Sequence, residues 1–539
     1  MTAPADTVDV LIVGAGASGA MMALTMAEAG FSVTCLEQGP WIGTQDYASD
    51  KLERELLQGT TWHTNPNHRQ RPEDYPCEVS DSEIHPVMFN AVGGSTVHYA
   101  AEWTRLLPSD FRVHALDGVG DDWPIDYWDL APHYDVVERL MGLSAMPGDP
   151  AYPAMTPAPN PPLPIGEMGR RAAEAFNQLG WHWWPGYNAI ASREYRHQGA
   201  CKRRSVCMTG CPEGAKATVD LTIWPDAIAA GAKVVTGARV SRVTTNAQGL
   251  ATGAEWIDRQ GNTHHQAAGV VVLAGNGVGT ARLMLLSDSA AHPHGLANSS
   301  GLVGRRLQMH ALGVVHGRYD EDLQTHLGPY GEPLTSAQFA ERDLARGFWG
   351  GCRLTVMPIP GPVETWWRSE NLPLSQRYGQ AVHDIVDSNG KAFEIAISLD
   401  DLPNDDNRVT LDSSLTDGDG IPAPKITWKP MPDAEKALDY FTDRAAEIHA
   451  AAGAVEVRRT PPGQDIGWHL LGTARMGTDP SSSVVDPYGR THDVENLFVV
   501  DGSVFVTSGQ TNPTGTIMAF AHRAAQHLAA TARNQRTAT

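Results

Sequence analysis

Long apolar runs are missing from this 539-residue chain. None approaches the ~18 residues that span a bilayer, so no transmembrane segment is expected. Basic residues are outnumbered: 41 Lys and Arg stand against 62 Asp and Glu, for a net charge of −21. A field of that sign repels nucleic acid and anionic membranes, and neither is an expected partner. Cysteine is scarce, with six residues in the whole chain, too few for a disulfide scaffold. The motifs G-x-S-x-G, H-E-x-x-H and the P-loop are absent, which removes the common hydrolase and NTPase readings. No internal repeat or low-complexity tract interrupts the pattern. The chain enters its first strand pattern within a few residues of Met1, leaving no room for a signal peptide. The expectation is a cytoplasmic protein, or one exported with a signal-bearing partner subunit.

What is present is concentrated first in residues 8–37, VDVLIVGAGASGAMMALTMAEAGFSVTCLE. The apolar run Val8–Val13 predicts a buried parallel strand, the Ala/Met/Leu-rich stretch up to Gly30 a helix, and Phe31–Leu36 a second strand ending at Glu37. Between the first strand and the helix stand Gly14, Gly16 and Gly19 as G-x-G-x-x-G, with Ser18 inside the motif. Gly14 permits the tight turn, Gly16 a close backbone approach to a pyrophosphate, and Gly19 the packing of helix on strand. The helix N-terminus offers free N–H groups and the positive end of its dipole to the phosphates. Glu37 is placed to accept hydrogen bonds from ribose hydroxyls. These features predict a dinucleotide site.

Three stretches carry α/β patterning: residues 1–115, 200–305 and 465–539. Within them, Ala232–Val243, Gly269–Gly279 and Asn496–Phe505 read as strands, and a helix pattern starts at Thr514. Residues 116–199 and 306–464 are less regular. They include a Pro-rich linker at 145–165 and short alternations such as Phe393–Leu399. An antiparallel-sheet domain inserted in a discontinuous nucleotide domain is the expected organisation.

Six segments in order resemble the glucose–methanol–choline (GMC) oxidoreductases: residues 13–20, 91–105, 122–138, 297–310, 407–428 and 468–525. The resemblance implies an α/β fold, in which a Rossmann-like FAD-binding domain carries an inserted α+β antiparallel-sheet substrate domain. It also implies FAD as the cofactor. It is strongest to sugar and polyol dehydrogenase flavoproteins, with pyranose and glycoside oxidases as near relatives. Oxidation of an alcohol needs a base for the hydroxyl proton and an acceptor, flavin N5, for the hydride. In the resemblance, His469 of WHLLGTARMG is the base and Asn512 of SGQTNPTG its partner. Asp501 is near the pyrophosphate or ribityl chain, and the helix from Thr514 points at the flavin. Gly93, Gly94, Ser95 and His98 of GGSTVH lie along the flavin ring, His98 at the position that bonds FAD covalently in some relatives. The alternatives are a core role for His469, a turn role for Asn512 before Pro513 and a surface position for His98. His310 reads as structural. His182, Trp183, Trp184 and the pair Trp366–Trp367 are candidates for a sugar pocket, with core or interface packing as the alternative.

Cys201, Cys207 and Cys211 stand as C-x5-C-x3-C in one polar loop. Three thiolates without a fourth ligand suit a three-iron cluster better than zinc. The spacing resembles the loop that holds a [3Fe-4S] cluster in FAD-glucose dehydrogenase catalytic subunits, where it passes electrons to a cytochrome subunit. Free thiols, or one disulfide, are the alternative. The expected activity is FAD-dependent oxidation of a sugar, glycoside or polyol hydroxyl. Electrons would go to a small and cytochrome partner subunit or a soluble acceptor. An oxygen-reducing oxidase and a non-catalytic FAD-binding electron carrier are the rivals.

Overall fold

The computed structural model describes residues 7–359, 361–367, 373–460 and 463–538. Its first unit is the predicted strand–turn–helix–strand: β1 (Val8–Val13), α1 (Ala17–Glu28) and β2 (Val33–Glu37). The strand β1 is central to a seven-stranded sheet, pairing in parallel with β2 on one side and with Thr263–Leu273 on the other. Val10, Leu11 and Ile12 are at most 1% exposed. Burying each such side chain contributes about 1.5–3 kcal/mol, which explains an apolar run with no polar alternation. Lys233–Thr236 extends the sheet beyond β2, and Leu497–Val499 pairs with Thr263–Leu273. The chain from Leu497 onward thus returns to the same sheet and then forms a helix, Thr514–Ala538, that packs on α1.

Several predicted elements differ at their edges. Ala232–Val243 is two strands, Lys233–Thr236 and Arg239–Thr245, separated at Gly237 with φ +66°. Of the Asn496–Phe505 run only Leu497–Val499 is strand, because Asp501 starts a short turn by accepting the Ser503 N–H. A six-stranded sheet forms the second layer, in the order Glu456–Thr460, Leu312–Arg318, Ala392–Leu399, Cys352–Pro358, Leu334–Phe339 and Trp184–Pro185. All its pairings are antiparallel. Helices Gly166–Leu179 and Pro432–Ala451 cover it, and its core is separate from that of the first sheet. A third sheet pairs Glu78–Ser82 with Pro422–Trp428. It joins a stretch that the sequence assigns to the nucleotide domain to one assigned to the substrate domain. Among the described residues no helix is long and apolar enough to cross a membrane.

Candidate active site

The two large sheets face one cavity of about 660 Å³. Its walls include Gly14, Gly16 and Ser18 at one end and His469, Asn512 and Thr514 at another. Four close approaches make the glycine end. Gly14 has φ +105°, and a Cβ there would lie 2.5 Å from the Ala274 carbonyl oxygen. A Cβ on Gly19 would lie 2.0 Å from the Gly14 oxygen, so α1 packs on the turn only through glycine. Gly94, with φ +53°, stacks on Gly16: a Cβ on it would lie 3.0 Å from the Gly16 Cα. Gly93, with φ +101°, donates its N–H to the Ala15 carbonyl at 3.0 Å. The result is a bare backbone cradle, and α1 begins there with no side-chain cap on its first N–H groups. Such a cradle fits a pyrophosphate.

Glu37 sits beside it, its oxygens accepting from Ala15 N–H at 2.9 Å and Gly39 N–H at 2.8 Å. Burial pushes its carboxyl up to about 7, partly offset by these backbone donors. Asp501 lines the cavity and accepts from Thr280 Oγ1 at 2.5 Å and Ser503 N–H at 2.9 Å; burial raises its carboxyl. Ser95 lines the wall as expected.

His98 does not line this cavity. Its ring is 2% exposed and packs on Phe89 at 4.2 Å and Trp62 at 5.6 Å between centroids. Neither ring nitrogen has a hydrogen-bond partner among the described residues, and burial holds the ring well below the usual imidazole range. Its neighbours Ser95, Thr96 and Tyr99 line the wall instead. Acid precipitation of the purified protein is therefore expected to leave a colourless pellet, with all flavin in the supernatant. A yellow pellet would place the His98 ring at the cofactor.

His469 and Asn512 are both half-buried and open to the cavity. His310, which the sequence reading left as structural, fixes the tautomer of His469. Its Nε2 lies 2.7 Å from the Gly509 carbonyl oxygen. A carbonyl only accepts, so His310 Nε2 carries the proton and Nδ1 of the neutral ring keeps a lone pair. That lone pair accepts from His469 Nδ1–H across 2.5 Å. His469 Nε2 is left unprotonated, as a base requires. Burial first, then the nearby His310 ring and Arg353 charge, hold His469 well below the usual imidazole range. His310 is pushed down to about 4 by burial. A lowered pKa keeps the neutral form to more acid pH, so a base at this position would be lost only as pH falls through that depressed value. Flavin reduction is expected to stay flat from pH 8 to about pH 6, below the unperturbed imidazole midpoint of ~6.5. A fall centred near pH 6.5 in a stopped-flow pH series would remove this assignment.

Arg353, Glu102 and Glu332 were not singled out in the sequence. Arg353 is fully buried in the strand Cys352–Pro358, donating to Glu332 Oε1 at 2.5 Å, Glu102 Oε2 at 2.9 Å and Asn512 Oδ1 at 2.9 Å. The signal in the sequence is a lone charged residue in the strand CRLTVMP.

The cysteine loop lies beside the cavity. Cys201, Cys207 and Cys211 are free and border one small space of about 20 Å³. Lys216 ties the loop to the cavity wall: Nζ donates to the carbonyls of Cys207 at 2.6 Å, Val97 at 2.7 Å and Tyr99 at 3.1 Å. Burial pushes the Cys207 thiol up to about 12 and the Lys216 ammonium down to about 8. Met208, between two of the cysteines, lines the large cavity. The donor set of three thiols on one loop suits a three-thiolate cluster. Of the aromatic candidates, His182 is tied to Asp149 at 2.9 Å and Trp184 lies on an edge strand. Neither borders the cavity. The Trp367 side chain lies outside the described residues.

Near the cavity, Asp465 gathers His63, His68 and His85. His63 Nε2 and His68 Nδ1 lie 3.8 and 3.6 Å from its Oδ2. The spacing suggests a metal, but His63 Nδ1 accepts the Asn65 N–H at 3.0 Å. The neutral ring then carries its proton on Nε2, which removes that nitrogen as a ligand.

With this geometry in place, comparison with known proteins identifies the family. Profiles described as GMC oxidoreductase match residues 8–312 and 403–521. The chain belongs to the GMC oxidoreductase family. GMC oxidoreductases bind FAD, and this chain is an oxidoreductase of that family, whose members act on CH–OH groups. It is 41% identical over 540 residues to 2-methyl-1,2-propanediol dehydrogenase from Mycolicibacterium austroafricanum, covering 98% of this chain and 96% of that one. It is 32% identical to 6'''-hydroxyparomomycin C oxidase from Streptomyces lividus, covering 97% and 92%. Among solved structures, an R554A variant of Aspergillus oryzae formate oxidase superposes with a TM-score of 0.63 at 16% identity, covering 99% of this chain and 100% of that one. The last likeness concerns the GMC fold alone.

Proposed function

We propose that this GMC oxidoreductase oxidises a hydroxyl of a polyol, sugar or glycoside to a carbonyl, with His469 as base. The observation that carries this is the unprotonated Nε2 of His469, fixed through His310 and opening with Asn512 into the glycine-lined cavity. FAD, when bound, supplies the hydride acceptor. His469 takes the hydroxyl proton at Nε2, and Asn512 holds the hydroxyl oxygen. Gly14, Gly16, Gly94 and the start of α1 would bind the pyrophosphate, with Glu37 at the adenosine ribose. Thr514, at the start of the C-terminal helix, brings a helix N-terminus to the same cavity, which favours negative charge there.

Cys201, Cys207 and Cys211 would hold a [3Fe-4S] cluster that supplies an electron exit towards a partner subunit or a soluble acceptor. Lys216 and Met208 support this, since they link the loop to the cavity wall. The similarity to an aminoglycoside oxidase favours a second reading, with oxygen as acceptor.

Anaerobic mixing with a panel of diols, sugars and aminoglycosides tests the activity. Bleaching of the flavin by at least one class is expected, 2-methyl-1,2-propanediol included because of the relative's name. A flavin that stays oxidised with every member overturns it. Iron and acid-labile sulfide analysis separates the acceptors. About three irons per chain are expected for the cluster. An iron-free protein that makes hydrogen peroxide stoichiometrically favours the oxidase.

A further inference from the structure

A guanidinium has five donors and no acceptor. That fact assigns the Asn512 amide, whose oxygen and nitrogen are otherwise interchangeable by shape. The atom 2.9 Å from Arg353 must be Oδ1, so Nδ2 is the atom left over. Nδ2 has no hydrogen bond to a described side chain or backbone group, and Asn512 lines the cavity. We propose that Arg353 is a positioning residue for the reaction: clamped by Glu102 and Glu332, it turns the Asn512 amide so that only its NH2 is offered to the substrate oxygen. The proposal deepens the function proposed above and rests on it.

The clamp is rigid for reasons visible in its backbone. Glu332 N–H donates to Asn188 Oδ1 at 3.0 Å, and Asn188 Nδ2 donates to the Glu332 carbonyl at 2.8 Å. A Cβ on Gly186 would lie 1.6 Å from the Glu332 oxygen, and one on Gly331 would lie 2.6 Å from the Ala100 oxygen. Three chain segments, at Ala100, Gly186 and Gly331, therefore meet here with no space for a side chain. Glu102 follows the glycine loop 93–98 and pairs with Asn188 in an isolated bridge. Arg353 comes from the middle of the six-stranded sheet. One cation thus ties the loop of the cofactor wall, the substrate sheet and the segment before the C-terminal helix.

Stability alone does not account for this arrangement. A buried ion triad is on average no more stable than apolar residues of the same volume. What the triad imposes is a direction. A hydroxyl oxygen that accepts from Asn512 Nδ2 has its own proton free to point at His469 Nε2. The same N–H donor stabilises the oxygen as negative charge develops on it. An amide turned the other way would accept the hydroxyl proton and compete with His469.

A double-mutant cycle tests the coupling. Arg353→Lys keeps the charge and loses the fork, and Asn512→Ala removes the amide. Anaerobic flavin reduction is expected to slow about tenfold in Arg353→Lys and ~10²-fold in Asn512→Ala, with less than about a twofold further loss in the double variant. Effects that multiply overturn the proposal. Should Arg353→Lys fail to retain FAD, Arg353→Met combined with Glu102→Leu and Glu332→Leu removes the clamp as a unit and takes its place in the cycle. A second readout does not depend on turnover. In chain labelled with 15N-asparagine, the Asn512 NH2 signals are assigned by their loss in Asn512→Ala. They are expected to shift in Arg353→Lys; unchanged signals overturn the proposal. If no hydroxyl compound reduces the wild-type flavin, the proposed activity has failed, and this measurement still decides the position of the amide.

Discussion

His469→Ala is expected to slow flavin reduction by at least ~10²-fold while FAD stays bound. The size follows from the role. A positioned general base contributes ~10²–10⁴-fold, and among the described residues no second imidazole lines the cavity to replace it. His310 is nearest, but its Nε2–H is committed to the Gly509 carbonyl and its Nδ1 faces His469 Nδ1, a ring's width behind the place that Nε2 occupies. FAD retention follows because the cradle of Gly14, Gly16 and Gly94 lies elsewhere on the cavity wall and is untouched by the change. The pair of measurements is stopped-flow reduction under anaerobic conditions and flavin content per chain. Reduction at the wild-type rate would take the base away from His469. Loss of flavin would mean that the ring has a binding role.

Gly19→Val is expected to give chain without flavin. The substituted Cβ would sit 2.0 Å from the Gly14 carbonyl oxygen and 3.4 Å from the Ala274 side chain. Neither the turn nor the helix can give way alone, since Gly14 is itself pressed on the Ala274 carbonyl. The start of α1 must swing out, and its N–H groups leave the phosphate position. A displacement of that kind costs more than the ~1–3 kcal/mol typical of overpacking, so at least ~10²-fold in FAD affinity is lost. Gly30→Ala is the matched control. Gly30 has φ +87° but nothing within 4 Å of the added Cβ, so only backbone strain of about 1 kcal/mol is introduced. Its flavin content should equal wild type. Equal flavin in Gly19→Val would show that the turn does not bind the cofactor.

The parts of this site that were readable in the sequence are those whose chemistry is local. Gly14, Gly16 and Gly19 are spaced by one turn between a strand and a helix, and the backbone there has only one way to close. His469 and Asn512 stand in segments distinctive enough to resemble a family. The unreadable parts depend on residues brought together from far apart. His310 and His469 are 159 residues apart, and nothing in QMHAL announces that one ring sets the proton of the other. Arg353 meets Glu102 across 251 residues and Asn512 across 159. His98 is the reverse case. Its place in GGSTVH suggested a ring at the flavin, yet Phe89 and Trp62 take that ring into the core, while the residues around it form the wall.

By itself the sequence determined a dinucleotide turn, a GMC resemblance that singles out the segments holding His469 and Asn512, and a loop of three thiols, because each depends on residue type at fixed short spacing. Only the tertiary structure decided which nitrogen of His469 is free, which end of Asn512 faces the cavity, and which histidine stays out of it. Those are questions of direction, and direction is set by hydrogen-bond partners that the fold brings in from other strands.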